Sequence, residues 1–143
     1  MSRNALLAAA SLSAVTTAAA TAVALRHPDL PDEALGLRIP GEVHTHLALG
    51  LGSGIATPWP MPVIALVAAS QHDETSVAPA RICAALGAMM LVGTLVEPAS
   101  WGLRPRSEPA RATVVLNLLS GASLFLAGTW SLPPARVETT VDP

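Results

Sequence analysis

The sequence predicts an all-α integral membrane protein, a four-helix bundle whose second transmembrane helix is kinked by proline. The chain has 143 residues, of which 51% are hydrophobic and only 13% are charged, whereas about 25% of the residues in a soluble domain are charged. Four apolar stretches each approach or exceed the roughly 20 residues that a helix needs to cross a bilayer. They form one membrane domain, residues 1–132, with spans at about 4–25, 47–70, 80–100 and 112–132.

The first span begins almost at the amino terminus. Residues 4–25 carry no charge, are rich in alanine and lie between Arg3 and Arg26. A secretory signal peptide is the alternative, because a basic start and small residues are present, but the apolar core of a signal peptide usually has about 7–15 residues. Residues 26–43 then contain three prolines, four acids and two arginines, which is typical of a loop outside the membrane.

The second span is the most irregular of the four. Residues 43–72 contain no formal charge, yet Pro58, Pro60 and Pro62 alternate near the middle of the stretch. Each proline removes a backbone donor and disfavours helix at the preceding residue. Two architectures fit this pattern: one kinked helix, which we favour, or a half-helix that enters the membrane and a second piece that completes the crossing.

The third and fourth spans are more regular. A short polar turn, residues 71–79, precedes the third span, and the loop 102–111 with its three arginines follows it. In the fourth span, helical spacing places a small and polar set of residues on one face, and this face should contact other helices. Its members are Asn117, Gly121, Leu124 and Gly128. The tail, residues 133–143, is predicted to be disordered.

Four crossings place both termini on one side of the membrane and the first and third loops on the other. Arginine favours the loop side by five to three, which by the positive-inside rule predicts that these loops are cytoplasmic in a multi-pass protein of the cell membrane. The loop side holds Arg26, Arg38, Arg104, Arg106 and Arg111, and the terminus side holds Arg3, Arg81 and Arg136.

This topology determines which polar residues can meet. Glu97 and His46 belong to the loop side and are candidates for an acid and a base, with His44 and Asn117 orienting a substrate. Each also has a structural interpretation: Glu97 as an interfacial acid held by an arginine, the histidines as a solvated pair, and Asn117 as a hydrogen bond between helices. His72, Asp73 and Glu74 lie on the opposite side, where they are most simply a polar cap.

The sequence His44-Thr45-His46 alternates as an extended segment would, which predicts both rings on one side, whereas a helix would turn them about 200° apart. With Glu97 the two rings would form a two-histidine, one-carboxylate set of the kind that binds iron or zinc. A bare HxH before a span is more often an interfacial pair, and no metal is predicted. The lone Cys83 has no partner for a disulfide, and no cofactor motif occurs.

We favour a non-catalytic or accessory role over catalysis. A net charge of −2 without a basic run gives no surface for nucleic acid. We expect a membrane protein with a small, polar-capped pocket that binds an apolar molecule or supports a partner membrane protein, with a homo-oligomer as a further option. The alternatives are a membrane-embedded enzyme of isomerase, cyclase or oxygenase type acting on a lipid-soluble substrate, and a transporter subunit. Transport ranks last because no span carries a charge near its middle.

Overall fold

The protein is described by a computed structural model at residues 3–26, 40–49, 52–53, 55–73, 76–101 and 108–132, and these parts of the chain are predominantly helical. The α-helices are α1 (Arg3–Arg26), α2 (Val43–Leu49), α3 (Pro60–Ser70), α4 (Val77–Val96) and α5 (Glu108–Trp130). A 3-10 turn, Pro98–Trp101, follows α4. The predicted tail 133–143 and the loop arginines Arg38, Arg104 and Arg106 lie outside the described residues.

Three of these helices are long and apolar enough to cross a membrane: α1, α4 and α5, with 24, 20 and 23 residues. At about 1.5 Å per residue they measure roughly 30–36 Å, which matches a hydrocarbon core of about 30 Å. The observation supports an integral membrane protein. In contrast, α3 has 11 residues and spans only about 16 Å.

The closest packing is between α4 and α5, and glycines make it possible. A Cβ atom added to Gly87 would lie 2.7 Å from the carbonyl oxygen of Gly121, and one added to Gly128 would lie 2.7 Å from the carbonyl oxygen of Ala80. Side chains do not fit at such distances, so the two backbones touch, as small residues allow in membrane helices. Because Gly87 faces Gly121 while the earlier Ala80 faces the later Gly128, the helices are antiparallel. The predicted small and polar face of α5 is buried, as expected.

The helices α1 and α3 complete the packing against this pair. Their contact surfaces are mostly alanine, and two sulfur contacts join the elements. The Ser13 hydroxyl donates to Met90 Sδ at 3.4 Å, and the Cys83 thiol donates to the carbonyl oxygen of Ala65 at 3.6 Å. The apolar cluster comprises Leu6, Ala9, Ala10, Ala65, Ala68, Ala69, Cys83, Leu86, Met90, Leu124 and Ala127.

The favoured prediction of one kinked helix across residues 47–70 is not confirmed. Helix α2 ends at Leu49 and α3 begins at Pro60, and the described residues between them are not helical. Gly52 has φ +78, a left-handed conformation that glycine adopts without steric cost. Pro60 and Pro62 lie in the first turn of α3, where backbone N–H groups have no partner within the helix anyway. The prolines therefore start a helix here and do not bend one.

Candidate functional site

The loop-side residues predicted to meet belong to one end of the molecule. Helix α1, like α4, runs antiparallel to α5, because its first half lines one groove with the last part of α5. The ends of α1 and α4 therefore lie beside the start of α5. Helix α2 and the non-helical segment after it pack at the same end, in an apolar cluster. The cluster comprises Ala20, Ala24, Val43, Leu47, Ile55, Ala56 and Ala110. We call this region the α2 end.

His46 has more buried side-chain atoms without a hydrogen-bond partner than any other residue described at the α2 end. Its side chain is buried, with 4% of the residue exposed. Neither Nδ1 nor Nε2 has a hydrogen-bond partner, and both atoms are shielded from solvent. A buried polar group without a partner costs roughly 1–3 kcal/mol. His46 is therefore the residue at which a bound group would contribute most.

His44 does not join His46, and the expectation of an extended segment with both rings on one side is wrong. The segment is helical from Val43, so residues two apart point in different directions. The side chain of His44 is 67% exposed, and its Nδ1 lies 3.1 Å from Oε2 of Glu42. The interpretation of His44 as a solvated residue fits this position, whereas contact with a substrate held by His46 does not.

Gly41 covers the imidazole of His46. Its φ of +140 is accessible mainly to glycine, and a Cβ atom there would overlap Nε2 of His46 and lie 3.1 Å from Cδ2 and Cε1. The chain before α2 can thus lie flat on the ring. Sequence reasoning missed this role, although the pair Pro40-Gly41 just before a helix is a turn signal.

Asn117 joins the fourth predicted span to the non-helical segment. Its Nδ2 donates to the carbonyl oxygen of Ile55 at 2.9 Å, and it thereby satisfies an acceptor that is not paired within a helix. Its Oδ1 is buried without a partner. Asn117 does form a hydrogen bond to another part of the chain, as its structural interpretation expects. The acceptor, however, belongs to the non-helical segment between α2 and α3 and not to a helix.

Glu97 is buried where α4 stops, with 5% of the residue exposed. Its carbonyl oxygen accepts the N–H of Ser100 at 2.8 Å and starts the 3-10 turn. Glu97 lies ten residues after Gly87, which faces Gly121 and Phe125 of α5. Because the two helices are antiparallel, the residues of α5 at the level of Glu97 lie ten residues earlier, at 111–115. Glu97 therefore lies about one helical turn closer to the end of the molecule than Asn117.

Two threonines of α1 add hydroxyl groups to this region. The Oγ1 atoms of Thr17 and Thr21 are buried and have no hydrogen-bond partner. Leu12 of α1 and Ser123 of α5 line one groove and so lie at a similar level. Because the helices are antiparallel, moving five residues forward along α1 to Thr17 corresponds to moving about five residues back along α5, close to Asn117. Sequence reasoning missed both residues, although polar side chains spaced i, i+4 on an alanine-rich helix share one face and are a recognisable signal.

The opposite end has a different character. His72 is buried, with 5% of the residue exposed and Nδ1 unpartnered; Glu74 of the predicted polar cap lies outside the described residues. An apolar groove of about 390 Å³ runs between α1 and α5 at this end. It is lined by Ala5, Ala8, Ala9, Leu12, Ser123, Leu126, Ala127 and Trp130. This groove differs in position and polarity from the polar-capped pocket that the sequence predicts.

The donor set at the α2 end suits neutral hydrogen bonding better than metal binding. Across the part of the chain that the structure describes, no three residues of the types His, Cys, Asp or Glu come together as a metal site, and His44 points away from His46. The side-chain groups without hydrogen-bond partners among the residues described at this end are one imidazole, one amide oxygen and four hydroxyls, those of Thr17, Thr21, Ser53 and Ser100. The sequence matches no protein-family model, no curated protein and no solved structure.

Proposed function

We propose that the chain is a multi-pass protein of the cell membrane that binds a lipid-soluble molecule, whose polar group lies at the α2 end. In this proposal α1, α4 and α5 cross the membrane, and residues 43–70 make the fourth crossing in two pieces. Helix α2 begins at the end where α1 stops, and α3 stops at Ser70, shortly before α4 begins at Val77. The chain therefore passes from one end to the other between Val43 and Ser70.

The observation that carries the proposal is the set of buried polar atoms without partners at the α2 end, above all both ring nitrogens of His46. Lipid offers no hydrogen bonds, so uncompensated groups are costly in a membrane protein and are typically found where water or a ligand binds. The non-helical backbone beside them supports the same conclusion, because irregular backbone at membrane depth is tolerated where it is covered by protein or lines a cavity.

An enzyme acting on a lipid-soluble substrate is the second candidate. It is favoured by the burial of both Glu97 and His46 at one end of the molecule, since a buried carboxyl and a buried imidazole are suited to acid and base catalysis. In this case Glu97→Gln would abolish turnover while the protein still inserts and folds. Supporting a partner membrane protein is the third candidate, and co-purification of one protein in mild detergent would favour it.

The topology is tested by labelling single cysteines from outside intact cells. In a Cys83→Ser background, cysteines would replace His44, Arg111 and Gln71, whose side chains are exposed. We expect positions 44 and 111 to react from the same side of the membrane and position 71 from the other. Reaction of positions 44 and 71 from one side would show that residues 43–70 enter and leave by the same surface, and the four-crossing proposal would fall.

Binding is tested by native mass spectrometry of protein released from mild detergent. We expect wild-type protein and the His44→Leu variant to retain a bound small molecule, and the His46→Leu variant to lose it. The two histidines are two residues apart on one helix and differ mainly in burial, so His44→Leu is a matched control. Wild-type protein that carries no small molecule when extracted from its own membrane would contradict the proposal.

A further inference from the structure

We propose that the molecule bound at the α2 end carries a hydroxyl group, so that the ligand class is a long-chain or polycyclic alcohol or a phenol. The inference rests on the binding function proposed above and specifies its ligand. It follows from the hydrogen-bonding atoms that have no partner in the fold, and from the exposed positions of the arginines that the structure describes at this end.

The unused atoms demand a partner that both donates and accepts. A neutral imidazole has one donor nitrogen and one acceptor nitrogen, and both nitrogens of His46 are free of partners. The side-chain N–H of Asn117 already donates to the carbonyl oxygen of Ile55, and its unpartnered Oδ1 can only accept a hydrogen bond. A ketone, ester or ether has no hydrogen to give, so it could pair only with the donor nitrogen of His46 and with none of the acceptors in this set. A hydroxyl group has one donor and two acceptor sites, so it can accept from a ring N–H or donate to one acceptor, whichever it meets.

An anionic headgroup fits less well. A buried phosphate or carboxylate needs a cation or several N–H donors. The arginines that the structure describes at this end, Arg26 and Arg111, have exposed side chains, and the unpartnered groups of the buried set are neutral amide and hydroxyl groups and an imidazole. As far as the described residues form it, the site therefore favours an uncharged ligand.

Gly41 suggests how such a molecule reaches His46. The backbone of Gly41 lies directly against Nε2 of the ring, while Pro40, Gly41 and Glu42 are themselves exposed. Lifting these three residues would remove the backbone that lies over Nε2 of His46. The hydroxyl would then enter from the membrane surface, with the apolar part of the ligand remaining in the lipid.

The experiment compares two photoreactive probes on the full chain in phosphatidylcholine vesicles: hexadecanol with a diazirine beside the hydroxyl-bearing carbon, and its O-methyl ether. We expect the alcohol to label residues 40–59 at least tenfold more than the ether does. Labelling on the exposed face of α3, formed by Val63, Ile64 and Val67, should be equal for both probes and serves as the reference.

Variants connect the selectivity to His46. We expect His46→Leu to reduce alcohol labelling to the level of the ether, His46→Gln to retain most of it because glutamine also has a donor and an acceptor, and His44→Leu to leave it unchanged. The comparison of alcohol with ether on the unaltered chain needs no variant, so it holds even where His46→Leu does not fold.

The outcomes separate the two levels of the proposal. Equal labelling of residues 40–59 by the alcohol and the ether, both above the α3 reference, would overturn the hydroxyl inference and leave binding of an apolar molecule in place. Labelling of residues 40–59 that does not exceed the reference with either probe would overturn the binding function itself. Retention of alcohol selectivity in a folded His46→Leu variant would remove His46 from the site.

Discussion

The α4 and α5 pair and the segment from Gly41 to Trp59 solve the same packing problem in opposite ways. In the pair, two continuous helices touch through Gly87 and Gly128. Its hydroxyl groups donate to carbonyl oxygens of their own helices, as Thr94 does to Met90 at 2.8 Å and Ser123 does to Leu119 at 2.8 Å. In the segment, helix stops and restarts, and the imidazole of His46 is buried without any partner.

The two regions differ in whether their buried polar groups have hydrogen-bond partners. Small residues and self-satisfied hydroxyls give stable contact between helices in a medium that supplies no hydrogen bonds. A buried polar group left without a partner lowers stability, and such groups persist mainly where they have a functional role. In the proposal made above, the pair is the scaffold and the α2 end is the binding region, and variants can test that division, from the largest expected effect to the smallest.

The largest effect is expected at Gly87. In the Gly87→Leu variant the new side chain would meet the backbone of α5 and force the two helices apart, which should lower the free energy of unfolding by about 3 kcal/mol. The measurement is unfolding in mixed detergent with increasing dodecyl sulfate. Gly93→Leu is the matched control on the same helix, because a Cβ atom there meets nothing within 4 Å; an equal loss of stability in both variants would contradict the proposed role of glycine contact.

A smaller effect is expected at Asn117. The Asn117→Ala variant leaves the carbonyl oxygen of Ile55 without its donor and should destabilise the protein by about 1–3 kcal/mol. The loss should concentrate in residues 52–59, where amide hydrogen exchange would accelerate while exchange in α4 stays slow. Exchange that accelerates equally in both regions would show that Asn117 holds the scaffold together and does not act specifically on the interrupted segment.

The next prediction concerns Gly41. A side chain there is strained at φ +140 and overlaps the ring of His46, so Gly41→Ala should cost about 1 kcal/mol and move the chain off the imidazole. Diethylpyrocarbonate modification followed by mass spectrometry checks this directly. In wild-type protein His44 should react and His46 should not, whereas both should react in the variant. Strong modification of His46 in wild-type protein would show that Gly41 does not cover it.

The smallest effect is expected at His44. Its contact with Glu42 is exposed to solvent, and exposed ion pairs contribute less than about 1 kcal/mol. His44→Ala should therefore leave the unfolding transition nearly unchanged. A shift as large as that caused by His46→Ala would mean that the two histidines act together, and the division between a solvated and a buried ring would be wrong.

Several features of the fold were accessible from sequence because they depend on local composition. Charge-free length predicted helices that the structure has as α1, α4 and α5. Helical periodicity predicted the buried face that contains Asn117 and Gly121. The interruption of the second stretch was harder to predict, because prolines at alternating positions fit a kink as well as a helix start. The choice depends on whether the preceding residues have other hydrogen-bond partners.

The candidate residues were selected from the sequence, whereas their geometry depends on the packed structure. His46, Asn117 and Glu97 are buried, and their role in a site stays a prediction. The separation of His44 from His46 depended on whether α2 begins before or after Thr45. Thr17 and Thr21 were not selected, since threonine within an apolar helix usually satisfies itself by donating to its own backbone. Only the packed structure shows that their hydroxyls have no partner.

By itself, the sequence determined that this chain contains long apolar helices suited to a membrane, because the length and polarity of each stretch are properties of consecutive residues. Tertiary structure alone decided which polar atoms remain unpartnered. Whether the imidazole of His46 meets water, a side chain or the backbone of Gly41 depends on elements distant in the chain and on the angle at which α2 enters the molecule. Hydrogen bonding requires geometry within a few tenths of an ångström, and composition does not specify positions at that scale.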